Sequence, residues 1–135
     1  MAAPDKHLRG WVYSKLNGMV VSGKTITTSD SRVPNNTDAY IIMSTIDKAN
    51  PQETKCGRVW NATLNLDLVT VYVGNNGSRL LVEAIQDEVL TRLVNPSITG
   101  FTVQDYYIDF GPDISIPQDT QSIYRKILIL NFKLK

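Results

Sequence analysis

Between Trp60 and Leu68 the chain alternates strictly. Trp60, Ala62, Leu64, Leu66 and Leu68 are apolar, and Asn61, Thr63, Asn65 and Asp67 are polar. A helix would spread those polar residues around its circumference, whereas a strand puts all of them on one face. Val69, Val71 and Val73 continue the run with both faces apolar. The pattern therefore predicts one strand from Arg58 to Val73, far longer than the usual five or six residues. At ~3.3 Å per residue such a run reaches about 50 Å, more than a small sheet is expected to hold. Part of it is expected to project as a β-hairpin arm with the strand before it. That strand is Tyr40–Ile46, β-branched and apolar on both faces, as a buried strand should be. The polar connector Asp47–Gly57, with Asn50-Pro51 and Cys56-Gly57, would form the tip of the arm.

Two segments carry the other period. Leu8, Trp11, Val12, Leu16 and Met19 recur at three-to-four spacing behind Pro4 and Asp5, which predicts an amphipathic helix over 5–17 with Gly18 near its end. Leu81, Ile85, Val89 and Leu93 fall four apart, with Glu83, Gln86, Asp87, Glu88 and Arg92 on the wet side. This predicts a second helix, capped by Ser78 and closed by Asn95-Pro96. Lys24–Thr28 reads as a short edge strand, and Val33–Asp38 as turn chemistry. Ile98–Ile108 reads as a strand that turns at Asp109–Asp113. An irregular loop over Ile114–Gln121 would follow, and a closing strand over Ile123–Leu134. The apolar centre of that last strand, Ile127–Leu130, belongs inside the sheet. The expected fold is α+β: a mostly antiparallel sheet of four to five strands, with two helices packed on one face and a long projecting hairpin.

Composition narrows the function classes. The chain has 135 residues, 42% hydrophobic and 20% charged, and a net charge of +1 from 14 basic and 13 acidic side chains. It fits one domain spanning 1–135, with no repeat, no low-complexity segment and no linker. A dedicated nucleic-acid binder needs a basic excess that is missing here. The lone cysteine, Cys56, forbids an internal disulfide. The N-terminal residues do not read as a signal peptide, and no run approaches the ~20 apolar residues of a membrane span.

Candidate chemistry is sparse. The single histidine, His7, is expected to be a solvated residue in the first turn of the first helix. Cys56 would need that same histidine as its base to act as a nucleophile. Two Cys and His in total are too few for a zinc site, and Asp105, Asp109 and Asp113 are spaced to diverge along a strand and turn. No metal or cofactor is expected. Gly18–Thr25, Gly-Met-Val-Val-Ser-Gly-Lys-Thr, formally matches a phosphate-binding loop. That motif needs a strand before it and a helix after it, whereas here a helix precedes and a threonine-rich segment follows. Tyr106-Tyr107 lies among acids, the wrong sign for a base-stacking platform.

Several features together resemble the tail terminator (tail completion) family of long-tailed bacteriophages and related neck proteins. They are the N-terminal amphipathic helix, the polar stretch with proline, and the strand Asp38–Met43. The long alternating strand Trp60–Tyr72 continues into Val71-Tyr72-Val73-Gly74, Gly77–Leu80 opens the second helix, and Ile127–Phe132 closes the chain. The resemblance implies a virion protein without catalytic activity, assembled in the host cytoplasm. It would form a homo-oligomeric ring, most often of six, on the last ring of a tail tube. It would touch the tail tube protein and a head-side connector protein, with DNA passing through the lumen unread. A different head-to-tail connector ring, a stopper or adaptor, has the same requirements. A non-viral ligand-binding module would instead hold an apolar pocket under Trp60 and Phe101.

A closed ring needs two different sticky patches per subunit. The expected neighbour-facing residues are Lys48, Gln52, Lys55, Arg58, Trp60, Asn61, Thr63 and Asn65 on the arm and its tip. A different partner is expected at the 109–119 loop, through Asp109, Phe110, Asp113 and Gln118.

Overall fold

The structure, a computed structural model, describes residues 4–29, 38–48, 52–54, 57–73, 78–117 and 121–135. The chain opens with α1 (Asp5–Leu16), whose buried residues are the expected Leu8, Trp11, Val12 and Leu16. Pro4 caps it: its carbonyl accepts from the Leu8 N–H at 2.9 Å. Gly18, at φ 77°, supplies the left-handed residue just past the helix end that a side chain would resist. Among the described residues seven strands follow: β1 (Met19–Val21), β2 (Lys24–Ser29), β3 (Ala39–Lys48), β4 (Gln52–Thr54), β5 (Gly57–Val73), β6 (Val103–Pro117) and β7 (Gln121–Leu134). Between β5 and β6 lies α2 (Leu80–Arg92), with Val82, Ile85 and Val89 buried.

The strands form one sheet in the order β1-β2-β3-β5-β7-β6, with β4 attached to β5. All pairings are antiparallel except β2 with β3, which is parallel. The α+β class, the mainly antiparallel sheet and the placing of both helices on one face are as expected. The strand count is higher, because β1 and β4, at three residues each, are too short to leave an alternation in the sequence.

Leu64, Leu66 and Leu68 of β5 lie opposite Leu130, Leu128 and Lys126 of β7. Ile41 and Met43 of β3 pair with Leu68 and Leu66. This face meets the buried residues of both helices in a single core, where Leu64, Leu66, Leu68, Leu128 and Leu130 are fully buried. Each such side chain contributes about 1.5–3 kcal/mol by leaving water.

The length of β5 has a different explanation from the one its sequence suggests. From Trp60 to Val73 it is paired with β7, and β6 and β7 are nearly as long. The β3–β5 hairpin forms, but only Gly57–Val59 runs past β7, against β4. The sheet itself is long, so the projecting part is short.

The second departure is at 109–117. No turn interrupts the strand there: β6 runs on to Pro117, and an irregularity between Phe110 and Asp113 absorbs one extra residue. Gly-Pro inside an apolar run reads as a turn but here marks a β-bulge. The glycine is required, because a Cβ at Gly111 would lie 2.9 Å from Ile127 Cβ.

Smaller differences have local causes. The strand expected from Ile98 begins at Val103, since Gly100 at φ 83° turns the chain first. The residue at the N-cap of α2 is Arg79, and Ser78 Oγ accepts only a 3.3 Å bond from the Leu80 N–H. The helix ends at Arg92, ahead of Asn95, which has φ 52°. The Val33–Thr37 turn, Lys55, Cys56 and Gln118 lie outside the described residues.

Candidate functional site

With both helices on one face, the other face of β3, β5, β7 and β6, called the open face below, carries no helix among the described residues. Its polar ladder is the odd-numbered set that the alternation predicts, Asn61, Thr63, Asn65 and Asp67, exposed or half-buried. Thr63 Oγ1 donates to Asn131 Oδ1 on β7 at 3.3 Å, and Asn131 Nδ2 donates to Asp109 Oδ2 on β6 at 3.2 Å. A hydrogen-bonded row thus crosses three strands. Beside it lies a shallow depression bordered by Asn61, Thr63, Asp105, Tyr107, Asn131 and Lys133.

Further along the same face Arg125 grips Asp67, with Nε on one carboxylate oxygen at 3.2 Å and Nη2 on the other. The hydrogen bond to Asp67 holds the Arg125 guanidinium pKa above its ordinary value, against the lowering by partial burial. Val69 is opposite Arg125 on one side and Tyr40 on the other. It is 4% exposed, a small apolar spot on the face that carries the ion pair.

The second open feature is an edge. β6 pairs with β7 on one side, and no strand among the described residues pairs with its other side. An unpaired strand of 15 residues leaves a row of N–H and C=O groups available to another chain. Tyr107, Phe110 and Ile116 are exposed along it, Phe110 by 62%. Asp113, past the bulge, falls on the helix side, where Lys126 and Arg79 approach it at 3.2 and 3.5 Å.

The expected interface residues therefore divide. Asn61, Thr63 and Asn65 share the open face. Trp60 points the other way and packs against the core, because its even number places it with Leu64 and Leu66. Lys48 pairs with Ala62, Gln52 with Val59 and Arg58 with Glu53, so these three belong to the end of the sheet near the β4 hairpin. Asp109, Phe110 and Asp113, expected on a loop, lie on β6: Asp109 on the open face, Phe110 and Asp113 on the other. Tyr107, Asn131 and the Asp67–Arg125 pair complete the open face without being among the residues expected there. The alternation of β7 beyond Leu130 (Asn131, Phe132, Lys133, Leu134) is the signal that points to Asn131.

The motif at Gly18–Thr25 is a hairpin. Ser22 at φ 52° and Gly23 at φ 81° are the two central residues between Val21 and Lys24, the left-handed pair of a type I′ turn. A strand follows where phosphate binding needs a helix N-terminus. His7, expected to be solvated, is half-buried against Phe101, with ring centroids 6.3 Å apart. Phe101 and Trp60, the roof of the alternative ligand pocket, both pack on the core. Among the described residues no group of three His, Cys, Asp or Glu could hold a metal ion, and no helix is long and apolar enough to cross a membrane.

No protein-family model matches the chain, and no curated protein matches it. Among solved structures it is similar to a chain described as "Virion of native gene transfer agent (GTA) particle". The TM-score is 0.67 and the identity 12%, over 98% of this chain and 99% of that one. At that identity the likeness is one of fold, and it extends end to end.

Proposed function

We propose that this chain is a structural, non-enzymatic virion protein of a phage-like particle. In this reading its one domain forms a ring, of six subunits, at the head-proximal end of a tail tube. The ring stops tube polymerisation and joins the tail to the head-side connector. The observation that carries the reading is the end-to-end fold match to a chain of a gene transfer agent virion. Fold alone does not fix function, but the surface supports the same direction. A 15-residue edge strand with exposed Tyr107, Phe110 and Ile116 is a hazard for a free monomer and suits a subunit that is covered on assembly.

The subunit contacts are assigned to Asn61, Thr63 and Asn65 of the open face, to Lys48, Gln52 and Arg58 at the β4 end of the sheet, to Lys55 in the sequence between β4 and β5, and to the β6 edge with Asp109 and Phe110. The tail tube protein and the head-side connector would meet the two rims of the ring. A net charge of +1 suits a lumen through which DNA slides without being held.

Native mass spectrometry over a concentration series, with negative-stain imaging of the same samples, tests the reading. Closed rings that cap purified tail tubes are the expected result. Rings that bind the head-side connector but ignore tube ends would move the protein to a stopper or adaptor role. A chain that stays monomeric alone and in the presence of tube ends would overturn the reading.

A further inference from the structure

Strand β6 and helix α1 carry opposite net charge. β6 has Asp105, Asp109 and Asp113 and no lysine or arginine. Among the described residues only Asp113 meets a cation; Asp105 accepts from the Tyr106 N–H and Asp109 from Asn131. On α1 the balance is reversed: Lys6, Arg9 and Lys15 outnumber its one acid, Asp5. Arg9 Nη1 donates to the Met43 carbonyl at 3.3 Å.

Beside Arg9 is an open groove. Its walls are Arg9, Gly10 and Tyr13 of α1, Thr28 and Ser29 of β2, and Met43 of β3. Gly10 leaves room at its rim, as a Cβ there would meet nothing within 4 Å. Tyr13 is 46% exposed at the same rim. Thr28, 3% exposed, contributes a hydroxyl with no hydrogen-bond partner, a group that ordinarily finds one when buried. β3, β5 and β7 separate this groove from the β6 edge. The molecule therefore has an acidic edge strand with a protruding aromatic at one end of the sheet and, towards the other, a partly apolar groove with Arg9 in its wall, on a helix that also carries Lys6 and Lys15.

From this we infer that the β6 edge of one copy docks on the α1–β2 groove of the next, with Phe110 as the inserted side chain and the Asp105–Asp109 stretch facing Lys6, Arg9 and Lys15. The inference rests on the ring reading and specifies which two surfaces mate. Two β6 edges cannot pair with each other comfortably. Their aspartates would oppose one another, and the bulge with Pro112 interrupts the ladder, both standard ways of blocking self-pairing of an edge. The contact is therefore heterologous, one patch on a different patch, and repetition of such a contact closes a ring or extends a filament. The occupant of the groove is a second copy of this chain.

Charge reversal at exposed positions tests this without touching the core. The Asp105→Lys/Asp109→Lys variant and the Lys6→Glu/Lys15→Glu variant should each raise the concentration for half-assembly by on the order of tenfold or more, since like charges across an interface are strongly unfavourable. Circular-dichroism melts should confirm that both fold. Combining the four substitutions in one chain should restore most of the assembly, because the two new lysines on β6 then face two glutamates on α1, with Arg9 the one like charge left. Phe110→Ala should weaken assembly at any salt concentration, whereas the charge effects should shrink as salt rises. Wild-type rings that persist unchanged in both reversal variants would overturn the docking while leaving the ring reading intact. Failure of the combined variant to recover, with both single-surface variants disassembled, would overturn the pairing of these two surfaces. A wild-type chain that never assembles would remove both.

Discussion

The two faces of the β5–β7 pair are built from the same strands and differ in almost everything else. On the helix side Leu64, Leu66, Leu128 and Leu130 are fully buried, and their neighbours across the core are apolar. On the open side Thr63, Asn65, Asp67, Arg125, Ile127 and Ile129 are all half-buried, a mixture of hydroxyl, amide, ion pair and aliphatic groups. Close packing makes the first face intolerant of any change in volume. The second is held by hydrogen bonds and by a charge pair across strands, and it retains apolar surface that the fold does not cover. One face serves folding, and the other is available for contact with another molecule.

The largest expected effect breaks the covered face. Leu66→Ala should cost about 2–5 kcal/mol in urea unfolding, because the central strand is paired on both sides and cannot collapse into the cavity. A loss below about 1 kcal/mol, the range of ordinary surface changes, would mean that the two faces are less different than their burial indicates.

Next comes a point where the open face carries an internal constraint. Arg125→Met should cost about 1–3 kcal/mol, by leaving the Asp67 carboxylate, 13% exposed, without its partner. Asp67→Asn in the same chain should recover most of that loss. A non-additive double-mutant cycle would establish the coupling.

Tyr106 probes the covered face at its rim, where its hydroxyl donates to the Leu93 carbonyl at 2.8 Å. Burial pushes its phenol from the ordinary 10.0 up to about 12. Below pH 10 the folded and unfolded chains both hold the proton and stability is unaffected. Above it the unfolded chain ionises first, so stability should fall from pH 10 towards pH 12. Tyr106→Phe should lose about 1 kcal/mol at neutral pH with the hydrogen bond and should flatten the alkaline decline. An unchanged alkaline slope would show that other groups govern it.

The smallest effect is expected on the open face itself. Asn65→Ala should move stability by no more than about 0.5 kcal/mol. If the face is a subunit contact, the same variant should weaken assembly, which native mass spectrometry reads directly.

Much of this contrast is legible in the residues. The alternation from Trp60 to Leu68 by itself assigns each side chain of β5 to a face, and the four-residue spacing from Leu81 to Leu93 defines α2. What periodicity does not encode is pairing. Nothing in β5 alone says that β7 accompanies it from Trp60 to Val73, so a long strand reads as a long arm. β6 misleads for the opposite reason. Gly111-Pro112 has the composition of a turn, and only the register with β7 reveals a strand that absorbs an extra residue and continues. The edge position of β6, which gives Tyr107 and Phe110 their exposure, follows from strand order, a property of the whole sheet and of no local stretch.

That extra residue acts as a change of phase. Along an unbroken strand Asp105, Asp109 and Asp113, four apart, would fall in step and stack three carboxylates on the open side. By advancing three positions on β6 against two on β7, the irregularity at Gly111-Pro112 throws Asp113 out of step and delivers it to Arg79 and Lys126 instead. Removing Pro112 would restore the rhythm and exchange the sides of every residue from Asp113 to Pro117. The spacing of the chain's charges is thus written in its sequence, but their grouping is decided by where the strand skips a beat.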